Sequence, residues 1–158
     1  MLYANVDQRV LGYLGRALSL ELTAVQQYST QSRLVTIWGL TEPADKLRKE
    51  AQVEMGHADR IIARMLALGV APSASQLRPV KLGNNLYELL VHNLNFEQEL
   101  VRLYSDATHH CARNGDHDSR MFFEALLNEE QQHAQELLSW IEQLQQPSAQ
   151  TTQMGVTF

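Results

Sequence analysis

The chain has 158 residues, a single cysteine and a formal net charge of −5 at pH 7. This length suits one domain with one core, and a single cysteine excludes a disulfide within the chain. The acidic balance argues against nucleic acid as a partner, and no apolar run approaches the roughly 18 residues that cross a membrane. Because the N-terminal residues also lack a signal-peptide pattern, we expect a soluble, cytoplasmic protein.

Four long helices are predicted from the apolar periodicity and from the positions of glycine and proline. Gly39 and Gly115 mark the turns inside each helix pair, whereas residues 69–83 contain two prolines and are too long for a tight turn. The pattern predicts an all-α, ferritin-like four-helix bundle in which a long crossover joins helices two and three. The expected helices are Asn5–Val35, Pro43–Leu68, Asn84–Ala112 and His117–Gln145.

A set of polar residues on the first two helices recurs on the last two at a constant separation of 76 positions. Each copy contains a glutamate, a tyrosine seven residues later, and a Glu-x-x-His motif that begins 33 residues after the first glutamate. A single Glu-x-x-His motif is usually two solvated side chains, but two copies at one offset match the ligands of a two-metal centre in a four-helix bundle. The pairs are Glu21 with Glu97, Tyr28 with Tyr104, Glu54 with Glu130, and His57 with His133.

Helical periodicity places these residues on the inward faces of their helices. On helix one, Glu21 lies between Leu18 and Tyr28 in a stripe with steps of three and four residues, and the other helices repeat this arrangement. Buried carboxylates without partners each cost several kcal/mol, against a domain stability of roughly 5–15 kcal/mol. Because two divalent cations balance four carboxylates, the stripes predict a site filled by metal.

The types of ligand narrow the choice of metal. Carboxylate oxygen and imidazole nitrogen without thiolate suit iron or manganese, and zinc competes for the same atoms. Two such metals with open positions are suited to binding and reducing dioxygen or peroxide. Tyr28 lies on the same face as Glu21, where it either donates a hydrogen bond or an electron to the centre or is an ordinary core tyrosine. Tyr104 is interpreted as an ordinary core residue.

Four segments carry a resemblance to a known family: LELTAVQQY at 20–28, WGL at 38–40, EMGHADR at 54–60 and EEQQH at 129–133. Together with the helix order and the crossover, they make the chain similar to the bacterioferritins, the haem-containing branch of the ferritin family. The resemblance covers the chain from about Val10 to Leu144. It implies a ferroxidase centre whose six metal ligands are Glu21, Glu54, His57, Glu97, Glu130 and His133.

The resemblance also implies oxidation of ferrous iron by dioxygen or peroxide, and storage of ferric mineral in a hollow cage of two dozen subunits. Glu54 and Glu130 would then bridge two irons. Bacterioferritins bind haem b between two subunits through a methionine from each, and Met55 occupies that position here. Met55 is turned about 100° around helix two from Glu54, away from the bundle centre. A ferredoxin that supplies electrons for iron release is a further expected partner.

Two departures from the family pattern concern the C-terminal region and the inner wall of the cage. Pro147 ends helix four, so we expect a bundle of residues 1–146 followed by a polar tail, residues 147–158, in place of the family's short fifth helix. Lys49 and Val53 stand where some members bind an extra iron through a histidine and an aspartate.

Two alternative functions remain open. One is a non-storing di-iron peroxidase similar to rubrerythrin, although the chain lacks the paired Cys-x-x-Cys motifs of a rubredoxin domain. The other is a subunit that supplies haem or shell surface to a mixed cage with a related chain. The complete ligand set argues against a purely structural role.

Overall fold

The computed structural model describes residues 6–146, which form four α-helices. The all-α four-helix fold is confirmed, and so is the long crossover, which spans residues 68–85. None of the helices in this part of the chain has the apolar stretch that crossing a membrane requires. The helices are α1, Gln8–Ile37; α2, Thr41–Ala67; α3, Leu86–Arg113; and α4, His117–Leu144.

The first helix starts later than predicted because an aspartate caps it. The carboxylate of Asp7 accepts the backbone N–H of Arg9, which makes Asp7 the N-cap and Gln8 the first helical residue. The predicted start at Asn5 lies outside the described residues, as does the predicted tail, residues 147–158.

The turns inside the two helix pairs have the same backbone conformation. Gly39 and Gly115 both have a positive φ, 80° and 68°, which glycine adopts without the steric cost of a side chain. After the first of these turns, α2 begins at Thr41, two residues before the predicted Pro43. Proline is tolerated there because N–H groups in the first helical turn have no partner inside the helix.

Contacts between side chains establish the directions of the helices. Helices α1 and α3 are antiparallel, since Tyr28 contacts Glu97 near the middle while Asp7 contacts His110 toward the other end. Helices α2 and α4 are also antiparallel, as the contacts of His57 with Glu130 and of Arg64 with Ser119 require. Each helix of the first pair thus faces one helix of the second pair across a shared interior.

A polar stripe on α1 fixes the crossover. Residues spaced four apart lie on one face of a helix, and four such side chains hydrogen bond to the crossover backbone at Gln76, Arg78 and Lys81. The last two of the four also bond to the buried side chain of Asn93 in α3. The crossover therefore lies along α1 and is connected to the interior. The four residues are Ser19, Thr23, Gln27 and Gln31.

The rest of the interior consists of two apolar clusters. The first includes Leu14, Leu18 and Leu126, and the second includes Leu47 and Leu137. The inward stripes that supply these leucines also contain four glutamates with no exposed surface, which are Glu21, Glu54, Glu97 and Glu130. The fold thus buries four carboxylates as completely as it buries its leucines.

Candidate metal centre

All six predicted metal ligands converge inside the bundle, in two overlapping groups. In each group one possible ligand atom per residue lies within 4.8 Å of the others. We call these groups the His57-side position and the His133-side position. Two glutamates belong to both groups, which is the arrangement of carboxylates that bridge two metals. The His57-side position consists of Glu21, Glu54, His57 and Glu130, and the His133-side position of Glu54, Glu97, Glu130 and His133.

Both histidines direct the same ring nitrogen at the carboxylates. Nδ1 of His57 lies 2.8 Å from Oε1 of Glu130 and 3.1 Å from Oε2 of Glu54. Nδ1 of His133 lies 2.9 Å from Oε1 of Glu54 and 3.3 Å from Oε1 of Glu97. The helix period explains this geometry, because the Glu and the His of a Glu-x-x-His motif are one turn apart on the same face.

The donor set fits metal ions better than it fits a packed polar core. Each of the four glutamates has one buried oxygen that accepts no hydrogen bond from the described residues, and that of Glu54 lies near Nδ1 of His133 in a poor geometry for a hydrogen bond. Buried polar atoms are normally hydrogen bonded, since leaving one unpaired costs about 1–3 kcal/mol and more when the group is charged. Four such oxygens on residues that converge at one site indicate that cations complete it.

Burial and mutual repulsion change the protonation of the centre in the absence of metal. Burial, with the neighbouring charge of Glu130, raises the pKa of Glu97 to about 8. Burial and the charge of Glu54 raise the pKa of Glu21 well above its ordinary range. Burial disfavours the charged form of His57, but hydrogen bonds to the carboxylates outweigh it and raise the pKa to about 12. Metal ions must therefore displace protons when they bind.

The two tyrosines of the repeat make equivalent contacts across the bundle. The hydroxyl of Tyr28 donates a hydrogen bond to Oε1 of Glu97, and the hydroxyl of Tyr104 donates one to Oε1 of Glu21 at 2.7 Å. Tyr104 is a buried core tyrosine with a satisfied hydroxyl, as expected, and its partner is one of the predicted metal ligands. The separation of 76 residues from Tyr28 was the signal that places both tyrosines at the centre.

Two further carboxylates, which do not belong to the 76-residue repeat, lie behind the histidines. Nε2 of His133 lies 3.4 Å from Oε1 of Glu50, and Nε2 of His57 lies 3.6 Å from Oε2 of Glu129. Glu50 occupies the inward stripe of α2 one turn before Glu54, which was the available signal. Glu129 directly precedes Glu130 and has no such signal, because it reaches His57 only across the helix interface.

Met55 is separate from the centre and faces outward. It follows Glu54 on α2, yet its surface is 48% exposed whereas Glu54 is fully buried. A side chain added at the neighbouring Gly56 would meet no atom of the described chain within 4 Å. This part of α2 is therefore an open surface next to the centre.

Comparison with known proteins gives consistent matches over most of the chain. The Ferritin-like domain model matches residues 11–146. Bacterioferritin from Rhodobacter capsulatus is 42% identical over 127 residues, which cover 80% of this chain and 79% of that protein. Bacterioferritin from Brucella melitensis is 35% identical over 127 residues, which also cover 80% of this chain and 79% of that protein. Bacterial ferritin from Synechocystis is 33% identical and covers 79% of this chain and 81% of its own length.

A solved structure gives the same result. The structure of Rhodobacter capsulatus bacterioferritin matches with a TM-score of 0.84 and 39% identity, and it covers 89% of this chain and 88% of that one. That protein is described with a metal-free dinuclear site and with its haem iron in a crystallographic special position.

Proposed function

The chain belongs to the bacterioferritins of the ferritin-like family, and from this premise we propose that it is a ferroxidase and an iron store. It oxidises Fe(II) with dioxygen or peroxide and stores the ferric product inside a shell of many subunits. One observation carries the proposal: four fully buried carboxylates and two histidines converge in two overlapping groups of metal ligands. Unless cations or protons neutralise it, this much buried charge would destabilise the bundle.

In this proposal each iron has its own glutamate and histidine. Glu21 and His57 hold one ion, Glu97 and His133 hold the other, and the two remaining glutamates, Glu54 and Glu130, bridge the pair. Membership of both bridging residues in both groups supports this assignment. Four carboxylates balance two ferrous ions, and neutral imidazoles add donor atoms without adding charge.

Iron is the substrate at this centre, and the protein controls charge and protons around it. Two ferrous ions supply two electrons, which with two protons convert dioxygen to hydrogen peroxide, or peroxide to water. Before iron binds, protons on groups such as Glu97 and His57 balance the carboxylates, because the pKa values of both groups are raised. Iron entry releases these protons, so uptake becomes easier as the pH rises.

The tyrosines fix the terminal carboxylates. Tyr28 and Tyr104 each donate a hydrogen bond to one oxygen of a terminal glutamate, Glu97 and Glu21 respectively. The other oxygen of each glutamate remains available for a metal. Tyr28, whose hydroxyl contacts Glu97, is also the proposed one-electron donor to the centre.

Haem b is a proposed cofactor in addition to the two iron ions that each subunit binds, and Met55 would be its axial ligand. A special position lies on a symmetry element, so the haem iron of the Rhodobacter capsulatus protein is shared equally by symmetry-related copies. The exposed thioether of Met55, beside an open surface at Gly56, suits the same arrangement between two subunits of this chain. The proposed assembly is a cage of two dozen copies, or a mixed cage with a related subunit.

The test combines iron oxidation with mineral growth. Metal-free protein receives two ferrous ions per chain and then oxygen, while near-ultraviolet absorbance is recorded. We expect a fast phase that saturates at two ions per chain, followed by a slower phase with excess iron and electron-dense cores by microscopy. A fast phase without any core would favour the non-storing peroxidase, and absence of a fast phase would favour the structural subunit.

A further inference from the structure

The two ligand histidines have different surroundings on their outer sides, although the six ligands themselves repeat. Nε2 of His133 faces Glu50 and Nε2 of His57 faces Glu129. Glu129 is also held by Arg60, whose Nη1 lies 2.5 Å from the same carboxylate oxygen. Glu50 forms no ion pair with a lysine or an arginine within residues 6–146.

The two outer carboxylates also differ in exposure to water. The side chain of Glu50 is 18% exposed, and its Oε2 is buried without a hydrogen-bond partner in the described chain. The side chain of Glu129 is 49% exposed. Arg60 neutralises Glu129 and solvent screens both groups, whereas Glu50 contacts only His133, forms no ion pair with a lysine or an arginine of the described chain, and is less exposed to the screening solvent. The His133 side of the centre is therefore the more negative side.

A carboxylate behind a ligand histidine fixes both its tautomer and its orientation. A neutral histidine that binds metal through Nδ1 has its proton on Nε2, and an acceptor at Nε2 selects this form. Nδ1 of both histidines faces the centre, so both Nε2 atoms are in the right place to donate. The distances from Nε2 to the carboxylate oxygens exceed the usual hydrogen-bond range of about 2.7–3.2 Å. A side-chain shift of a few tenths of an ångström would bring both within that range.

We propose that Glu50 and Glu129 are positioning residues for His133 and His57, and that Glu50 makes the His133-side position bind divalent cations more tightly than the His57-side position. The inference rests on the proposed function, because it presupposes the two-metal centre. Both histidines have an acceptor, but only one acceptor has a cation beside it. The two metal positions are therefore unequal.

Cobalt(II) is the probe, because its visible absorption reports coordination independently of iron oxidation. The metal-free full-length protein is titrated together with two variants that each keep one position. Glu21→Ala retains the His133-side position and Glu97→Ala retains the His57-side position. We expect the Glu21→Ala protein to bind cobalt more tightly than the Glu97→Ala protein.

Substitutions of Glu50 and Glu129 then distinguish the contribution of their charge to cobalt affinity from the contribution of their hydrogen bond to the histidine. Adding Glu50→Ala to the Glu21→Ala protein is expected to weaken cobalt binding about 10-fold to 100-fold, the usual cost of losing a partner behind a ligand. Glu50→Gln retains an acceptor oxygen without the charge, so it weakens binding less and preserves the cobalt spectrum. Glu129→Ala is the matched control, with a smaller effect that is confined to the Glu97→Ala protein.

Each outcome has one meaning. Cobalt affinity that is unchanged by both Glu50 substitutions overturns the inference, and so does equal weakening at both positions. If Glu50→Ala does not fold, Glu50→Gln decides alone, because the loss of charge by itself must weaken only the His133-side position. If the wild-type protein binds no cobalt, the proposed two-metal centre fails, which is a result distinct from failure of this inference.

Discussion

The two halves of the bundle, α1 with α2 and α3 with α4, can be aligned by pairing each residue with the one 76 positions later. The inward residues match, since every ligand and tyrosine of the first half has its equivalent in the second. The outward residues do not match, because Met55 corresponds to Gln131. The α1 stripe that binds the crossover is polar at all four positions, whereas only the first two equivalents on α3 are polar: Ser19, Thr23, Gln27 and Gln31 correspond to Asn95, Glu99, Leu103 and Ala107.

The difference between the halves follows from what each face contacts. Inward residues are the same in both halves, as the proposed centre requires, because each half would supply one metal position of the same kind. Outward residues of the first half contact features that have no counterpart on the second half, such as the crossover. The residues behind the histidines match only in part. Glu50 and Glu129 both face a predicted ligand, but only Glu129 is also paired with an arginine, Arg60.

The largest expected effect comes from removing one of the two carboxylates proposed to bridge the metals, which lie in different halves. Glu54→Ala and Glu130→Ala are both expected to slow iron oxidation more than about 100-fold, because losing even an indirect partner of a metal ligand costs 10-fold to 100-fold. The metal-free fold is expected to remain, since one buried like charge is removed. Stopped-flow absorbance measures the rate, and the exposed Glu142→Ala on α4 is the control. Fast oxidation in either variant would contradict the equivalence of the halves.

Haem binding is expected to depend on a methionine of the first half and not on one of the second half. Met55→Leu is expected to abolish most haem binding while leaving fast iron oxidation unchanged, because leucine has a similar volume but no thioether ligand. The Soret absorbance per chain measures the loss. Met121→Leu on α4 is the matched control, since that methionine is also exposed, at 63%. Equal haem loss in both variants would show that Met55 is not the specific ligand.

The stability of the metal-free protein is expected to fall as the pH rises from about 5 to 8. The pKa of Glu97 is raised from 4.5 to about 8, so the folded protein retains a proton that the unfolded chain releases. The pKa of His57 is raised from 6.5 to about 12, which extends the loss to higher pH. Each group contributes at most about 1.4 kcal/mol per pH unit.

Denaturant unfolding at several pH values measures this slope. Glu97→Gln is expected to flatten the slope between pH 5 and 8, because the amide does not titrate. Bound zinc is expected to reverse it, because protons and metal compete for the same atoms. A metal-free protein that gains stability over this range would disprove the protonation described for the centre.

The smallest effect is expected from the tyrosines, which test the equivalence of the halves most finely. Tyr28→Phe and Tyr104→Phe each remove one hydrogen bond to a carboxylate, so each should lower the free energy of unfolding by about 1–2 kcal/mol. Similar losses would support equivalent positioning. If Tyr28 also donates an electron, only Tyr28→Phe should remove a tyrosyl radical from the electron paramagnetic resonance spectrum after oxygen is added.

The sequence was sufficient for the fold and for the convergence of the six proposed ligands, because both depend on local period and spacing. An inward stripe with steps of three and four residues specifies the helix face, and one offset specifies the pairing of Glu21 with Glu97. Contacts between helices were not accessible in this way. The contact of Glu129 with His57 depends on how α2 and α4 cross, and the capping of α1 by Asp7 depends on a single carboxylate outside the periodic pattern.

The central claim is that the repeated ligands form one centre with two metal positions. Crystals soaked anaerobically in ferrous iron and measured at the iron absorption edge test it most directly. We expect two anomalous peaks per chain, one among Glu21, Glu54, His57 and Glu130 and the other among Glu54, Glu97, Glu130 and His133. A single peak, or iron only at other places on the protein, would contradict the account.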